Sequence, residues 1–313
     1  MDPTIGCCNV CFSGVTIWIL EPASAKSGSR TGWWGASLPK SAETFKDGNP
    51  LLAVDEPPSA DWQEGGDGPF LFVCEHASNR VPVALGDLGL SAEQFERHIA
   101  WDPGAAPVAR GLAARFGGAT VLQRYSRLVI DCNREPHLPD AITVLSEDTP
   151  IPGNARLSPE ARNARIAAIW APFHGAIDRV VNRRIAEGRD TILVTVHSFT
   201  PVYRGVHRPW HVGLISTDDR RIAGPMLTHL ARGGDLVVGD NEPYSPKDNV
   251  DYTIRRHGRE RGLPHVMIEI RNDLLHSSRD VDAWVQGLGD ALTEAARTIG
   301  FAIAAPGKAR SKA

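Results

Sequence analysis

The chain has 313 residues, 42% of them hydrophobic, enough for one large domain or two small ones around a substantial core. Its 34 Lys and Arg against 37 Asp and Glu leave a net charge of -3, which excludes the broad basic footprint of a nucleic-acid or acidic-membrane binder and points to small-molecule partners. Five cysteines, with Cys7, Cys8 and Cys11 crowded together and Cys74 and Cys132 in apolar runs, make no disulfide framework and fit a reducing cytoplasm.

At the N-terminus, the Cys7 to Cys11 cluster has no second cysteine pair at zinc-finger spacing, and no histidine precedes His76. The apolar stretch 10–20 is too short to span a bilayer, and Asp2 sits where a signal peptide carries positive charge, so export is not expected. Up to about residue 61 the chain is rich in Ser, Gly, Pro, Ala and Lys without periodicity, which predicts a poorly ordered extension over 1–60, a catalytic domain over 61–302 and a flexible tail over 303–313.

From Gly68 onward short apolar runs alternate with helical patterns, the signature of a single α/β domain whose sheet is flanked by helices. Strands are predicted at 69–74, 120–123, 127–131, 191–196, 211–216, 236–238 and 264–270. Helices are predicted after Ser91, over 104–116 with Asp102 or Pro103 at its beginning, and over 158–187 with a kink near Pro172. Later helices fall at 219–232, 249–262 and 280–299. Two long connections, 133–157 and 198–210, are dense in Pro, Arg, His and Asp, and loops of that length in a compact domain are more often functional than idle.

Polar motifs close several of the apolar runs: Glu75-His76-Ala77-Ser78-Asn79, His197-Ser198 and Glu269-Ile270-Arg271-Asn272-Asp273. Strand ends of an open α/β sheet converge on one crevice, so His76 and His197 are candidate metal ligands. A third donor is needed, from Glu75, Asn79 or Asp102. Strand alternation turns Glu75 away from His76, and the neutral amide of Asn79 is a poor substitute for a carboxylate, which leaves Asp102 preferred and a helix cap as its alternative role. Glu269 closes a mostly apolar strand, where partial desolvation raises a carboxyl toward the range of a general base; the alternative is a salt bridge to Arg271 or another arginine. Arg127, Asn133, Arg134, Arg204 and Arg271 are candidate substrate-binding residues, because guanidinium forks near strand ends suit a carboxylate. His257 is a candidate for protonating a leaving group, and His174 has the same ambiguity between chemistry and structure. No nucleophile elbow, P-loop or dinucleotide fingerprint is present, so Ser198 and Cys74 lack the setting of a nucleophile.

Six blocks together resemble the N-formylglutamate amidohydrolase family: Cys-Glu-His-Ala-Ser-Asn-Arg-Val-Pro at 74–82, Ala-Trp-Asp-Pro-Gly-Ala at 100–105, Ser-Arg-Leu-Val-Ile-Asp-Cys-Asn-Arg at 126–134, Val-Thr-Val-His-Ser-Phe-Thr-Pro at 194–201, Gly-Asp-Asn-Glu-Pro-Tyr at 239–244 and His-Val-Met-Ile-Glu-Ile-Arg-Asn-Asp-Leu at 265–274. The resemblance covers about residues 65–300. It implies a zinc-carboxypeptidase-like and aspartoacylase-like fold, a mixed twisted sheet between helices. It further implies cleavage of a non-peptide amide on an acidic amino acid, formate and glutamate being the products of the named reaction. By the same resemblance His76 and His197 hold zinc, or another divalent metal, Glu269 activates water, and Arg127, Arg134 and Arg271 grip carboxylates. Asn79 departs from the carboxypeptidase pattern, which has a glutamate three residues after the first histidine. Another N-acyl amino acid as substrate, or a non-catalytic carboxylate-binding protein, is the competing reading.

Overall fold

Six apolar runs of the sequence and one weakly apolar edge segment form the seven strands of one sheet: β1 (Ala60–Gln63), β2 (Phe70–Cys74), β3 (Ala119–Gln123), β4 (Ile192–Phe199), β5 (Val212–Ile215), β6 (Val238–Asp240) and β7 (His265–Arg271). This computed structural model describes residues 51–248 and 250–303, together with the backbone of two short strands at Thr44–Phe45 and Asn49–Pro50. The N-terminal cysteine cluster, the apolar stretch 10–20 and the tail from 304 lie outside the described residues, as does most of the predicted extension. Among the described residues no helix is long and apolar enough to cross a membrane.

The strand order is β6-β5-β7-β4-β2-β3-β1. The central pairs β7–β4, β4–β2 and β2–β3 are parallel, as is β5–β6, whereas β1 and β5 run antiparallel to β3 and β7, so the sheet is mixed. Every residue of β4 is buried, as expected of a central parallel strand covered on both faces. One face, carrying Phe70, Phe72, Val194, Val196, Ile268 and Ile270, packs on α2 (Ala105–Phe116), α5 (Ala223–Ala231) and α6 (Ser278–Thr298). The other face, with Leu71, Val73, Val121 and Leu193, packs on Phe173, Ile177 and Val180 of α4 (Ala171–Ala186). Strand alternation therefore sends Thr195, His197, Met267 and Glu269 to the α4 side. Leu51, inside the predicted extension, is buried in that second core cluster.

Local chemistry explains the helix boundaries. The short α1 (Ala92–Glu96) opens on a capping box between Ser91 and Gln94. Helix α2 begins at Ala105 behind Gly104, which takes the left-handed conformation with φ 82° and makes no side-chain cap. Asp102 is thus released from the capping role that its position suggested. The predicted helix 158–187 is α3 (Pro159–Arg165) followed by a π turn (Ile166–Trp170) and α4, the wide turn lying just before Pro172, which has no N–H to give a regular helix. The predicted helix 249–262 is instead a π turn (Ile254–Gly258) and a short 3-10 turn (Arg259–Arg261).

The predicted strand 127–131 is not a strand. Leu128, Val129 and Ile130 are fully buried, but their segment is a loop whose backbone is satisfied locally, by Val129 N–H to Ser126 O (2.9 Å) and Asp131 N–H to Ala141 O (2.7 Å). The buried Arg165 guanidinium donates to Val129 O (2.9 Å), replacing a ladder partner. A short apolar run reports burial and cannot by itself report conformation. Conversely β1, an edge strand with only Ala60 fully buried, carries too little apolar signal to be recognised.

Two glycines shape the sheet beside Glu269. Gly213 of β5 pairs with Glu269 across the antiparallel ladder and with Gly239 of β6 on its other side. A Cβ on Gly213 would fall 1.8 Å from Glu242 O, and one on Gly239 would fall 2.7 Å from it, so the missing side chains let the Glu242 backbone lie on the sheet. Gly213→Ala should displace that segment and lower stability by about 1–3 kcal/mol, the usual cost of overpacking. The shift in the urea-unfolding midpoint measures it, and an unchanged midpoint would contradict the packing described.

Candidate metal centre and cleft

β2 ends at Cys74, and the chain turns immediately, so alternation no longer separates Glu75 from His76. Glu75 continues the Leu71 and Val73 side of the strand, while the turn brings His76 back over the strand end, where His76 O accepts from Asp102 N (2.9 Å). On the parallel pair β4–β7, His197 and Glu269 are register partners and sit side by side. Three segments far apart in sequence thereby meet at the carboxyl ends of adjacent parallel strands.

One Asp102 oxygen joins the two histidines. Asp102 Oδ2 lies 3.2 Å from His76 Nδ1 and 2.8 Å from His197 Nδ1, and the two rings stand edge to face with centroids 4.9 Å apart. The ligand atoms of His76, Asp102 and His197 all fall within 4.8 Å of one another, and all three residues are buried. Each imidazole has a second carboxylate on its far nitrogen: His76 Nε2 donates to Asp131 Oδ1 (2.7 Å), and His197 Nε2 lies 3.0 Å from Glu75 Oε2. The Glu75 contact is an ion pair off the line of a hydrogen bond, and both Glu75 oxygens are buried without a hydrogen-bond partner.

The electrostatics show what such a cluster lacks. Glu75, Asp102, Asp131 and Glu269 surround two imidazoles, with Arg127 against Asp131 (2.7 Å) and Asp102 (3.4 Å). Burial opposes charge on every one of these groups. Even so, His197 is pulled well above the usual imidazole range by Glu75 and Asp102, while His76 is raised by Asp131 and Asp102 against burial and Arg127. Asp102 is held well below the carboxylate range against burial by the two histidines, and Asp131 against burial by Arg127 and His76. His76 Nε2 donates to Asp131, so a neutral His76 turns its Nδ1 lone pair on Asp102 Oδ2, an acceptor facing an acceptor. A cation between them resolves the conflict, and a carboxylate behind each ligating histidine is the usual way such ligands are oriented. The donor set of two imidazole nitrogens and one carboxylate oxygen fits a divalent transition metal with a coordination position left over.

These residues form the floor of a cavity of about 250 Å³. Arg127, Asn133, Arg134, Arg204, Tyr244 and Glu269 are among its walls. Burial raises the Glu269 carboxyl to about 7, the neighbouring His197 pulling the other way, and Glu269 Oε2 has no hydrogen-bond partner. Tyr244 stands near it, held by Arg208, whose guanidinium lies 4.9 Å from the ring centre and donates to Tyr244 Oη at 3.2 Å. Arg204 reaches the cleft from a small hairpin formed by Val202–Tyr203 and Val206–His207.

Other expected site residues are placed elsewhere. Arg271 does not line the cleft; it pairs with Asp273 (2.8 Å), so Glu269 is not its salt-bridge partner. His257 is buried away from the cleft with Nε2 2.9 Å from His174 Nδ1, where it reaches no leaving group. Asn133 lines the cleft, but its amide is engaged with Val250 O (2.6 Å) and Thr253 N–H (3.1 Å). Asn79 turns to Phe95 O (3.1 Å) and Glu96. Ser198 Oγ donates to Pro103 O (2.8 Å), and burial pushes the Cys74 thiol well above its usual range, so neither is an activated nucleophile.

Asp131 is the residue that sequence reasoning missed. It was read as the end of a strand within the block 126–134, although a carboxylate closing an apolar run is the same signal that singled out Glu269. Its contacts to His76, Arg127 and Arg134 exist only because that segment is a loop.

The family model of N-formylglutamate amidohydrolase matches residues 68–276. A gene product of Agrobacterium tumefaciens of known structure is 42% identical, with a TM-score of 0.77, over 80% of this chain and 99% of that one. The N-formylglutamate amidohydrolase of Ralstonia eutropha JMP134 is 18% identical over 78% of this chain and 98% of that one, and at a TM-score of 0.58 it shares the fold. No curated protein sequence matches significantly. The mixed sheet between helices and the match across the cleft-forming blocks place the chain in the N-formylglutamate amidohydrolase family.

Proposed function

We propose that this protein is a metal-dependent amidohydrolase cleaving the N-acyl amide of an acidic amino acid, with N-formyl-L-glutamate, giving formate and L-glutamate, as the leading substrate. The observation that carries this reading is the shared Asp102 oxygen between the Nδ1 atoms of His76 and His197, each ring backed by its own buried carboxylate. His76, Asp102 and His197 would hold the cation, and zinc suits their donor set with a position left open. When bound, it would polarise the amide carbonyl and bring the ionisation of water toward neutral pH.

The protein's own groups do the rest. Glu269, desolvated at the end of β7, accepts a proton from the attacking water at Oε2 and returns it to the departing amine nitrogen. Arg127 remains firmly charged despite burial because Asp131 and Asp102 face it, and with Arg134 and Arg204 it offers guanidinium donors to substrate carboxylates along the same cleft. Asp131 and Glu75 orient the histidines.

Three measurements test this. Elemental analysis and zinc titration should give one cation per chain, lost in Asp102→Ala. Glu75→Gln and Asp131→Asn should each weaken binding about 10- to 100-fold, the usual effect of losing a partner behind a ligand. Formate release from N-formyl-L-glutamate should stop with a chelator and return with zinc; turnover that survives complete metal removal overturns the reading. Glu269→Gln should keep its metal while kcat falls by about 10²- to 10⁴-fold.

The pH profile provides a fourth check. Glu269 acts as base only when ionised, so kcat/KM should fall as pH drops through an acid limb at or below about 7, a bound cation moving the limb lower. Residual activity of Glu269→Gln should lack that limb; finding it there would assign the limb to another group.

A further inference from the structure

His174 and His257 take no part in the cleft, yet both are buried and joined. His174 Nδ1 lies 2.9 Å from His257 Nε2, and the rings stack nearly parallel at 5.2 Å. At the inner end His174 Nε2 meets Cys132 O at 2.9 Å; at the outer end His257 Nδ1 lies 3.3 Å from Asp178 Oδ1, which also accepts from Arg261 Nη2. Each histidine is delivered by a π turn. His257 sits inside Ile254–Gly258, and His174 lies in the first turn of α4 just past Ile166–Trp170. Single π turns inside helices are frequent at functional sites, since a regular helix would place the side chain elsewhere.

Proton counting restricts what the pair can do. The chain of contacts ends in an acceptor on both sides, a carbonyl oxygen at Cys132 and a carboxylate at Asp178. Three links need three protons, and two neutral imidazoles carry only two. Because the Cys132 carbonyl only accepts, His174 must carry its proton on Nε2. Its Nδ1 then accepts, so His257 must donate from Nε2. The unmade link is the outer one, and His257 Nδ1 is indeed a buried nitrogen without a hydrogen bond.

The groups facing the pair favour this neutral state. Burial, then the neighbouring His257, hold His174 well below the usual imidazole range against the Cys132 carbonyl and Asp178, with Arg256 also opposing its charge. Burial lowers His257 as well, with Arg261 and Arg256 opposing its charge and Asp178 favouring it. The remaining walls around His174 are the aromatic rings of Trp170, Phe173 and Tyr252.

We propose that His174 and His257 are positioning residues: a neutral pair that donates inward, from His257 to His174 to the Cys132 carbonyl, and thereby fixes the Asp131–Asn133 segment behind the metal site. The inference rests on the function proposed above. Cys132 is flanked by Asp131, which holds His76 (2.7 Å) and Arg127 (2.7 Å), and by Asn133, whose amide is tied to Val250 and Thr253 on the approach to the same π turn. The segment 250–257 therefore clamps residues 132–133 through both the histidine pair and Asn133. A small displacement at Cys132 moves Asp131, and with it a metal ligand and a substrate-facing arginine together.

Long-range proton–nitrogen correlation NMR on the full-length chain, labelled with nitrogen-15 histidine, reads the tautomers directly. At neutral pH both rings should be Nε2–H with bare Nδ1, the His257 signals being assigned by their loss on substitution. A proton on His257 Nδ1, alone or beside one on Nε2, overturns the proposal. In parallel, His257→Leu removes the donor, whereas His257→Gln keeps an amide N–H that can reach His174.

His257→Leu should lower kcat/KM about 10- to 100-fold, as slight misplacement of reacting groups does. Zinc binding should weaken about tenfold, at the lower end of what loss of a supporting partner costs. His257→Gln should recover most of both, and Ser277→Ala, which removes a remote helix cap, should change neither. Equal losses in the Leu and Gln variants, or no loss in either, overturn the proposal. A wild-type chain that hydrolyses no N-acyl amino acid brings down the functional reading instead, and the tautomers and zinc affinities still decide the role of the pair.

Discussion

The site depends on a dense cluster of buried ionisable groups. Four carboxylates, Glu75, Asp102, Asp131 and Glu269, are brought within reach of two imidazoles and the guanidinium groups of Arg127 and Arg134 at the ends of parallel strands. Such a cluster is costly in a protein interior unless something positive completes it, since unpaired buried charge is far more expensive than paired charge. Much of the surrounding architecture serves this arrangement. Gly104 starts α2 without a side-chain cap, which leaves the Asp102 carboxylate free for the histidines. The turn directly after Cys74 puts Glu75 and His76 on the same centre in different capacities.

The same carboxylates divide into distinct tasks through their surroundings. Asp102 and Asp131 are each flanked by cationic or proton-donating groups and stay ionised. Glu269 is desolvated with an unpartnered oxygen, and its affinity for a proton rises toward neutrality. Environments that push carboxyl groups apart in this way separate groups that hold charge from groups that exchange protons. Gly213 and Gly239 contribute from the neighbouring strands, because their bare surface admits the Glu242 backbone and, two residues later, Tyr244 at the cleft wall.

Irregular backbone carries much of the support. The loop 126–134 is buried like a strand yet hydrogen-bonded as a set of turns, and it presents Arg127, Asp131 and Arg134 toward the cleft from one short stretch. Two π turns, at Ile166–Trp170 and Ile254–Gly258, set a histidine pair of which His174 touches the back of this loop. Functional groups are thus fixed from both sides of the polypeptide, by strand ends in front and by widened helical turns behind.

Apolar periodicity and turn chemistry alone were enough to determine the α/β class and six of the seven sheet strands, and they singled out His76, His197, Glu269 and Asp102, which the packed sheet brings together. Those signals are local: a buried parallel strand is a continuous apolar run, and a polar residue at its end is conspicuous. The contacts of Asp131 and Glu75, the placing of Arg271 and His257 outside the cleft, and the loop at 127–131 were decided only by tertiary structure. Whether an apolar run pairs in a ladder depends on partners such as Arg165, 36 residues away from the Val129 carbonyl it caps, and which nitrogen of a histidine meets which carboxylate depends on residues as far apart as Glu75 and His197. Side-chain convergence of that kind is a property of the packed sheet, and no window of sequence contains it.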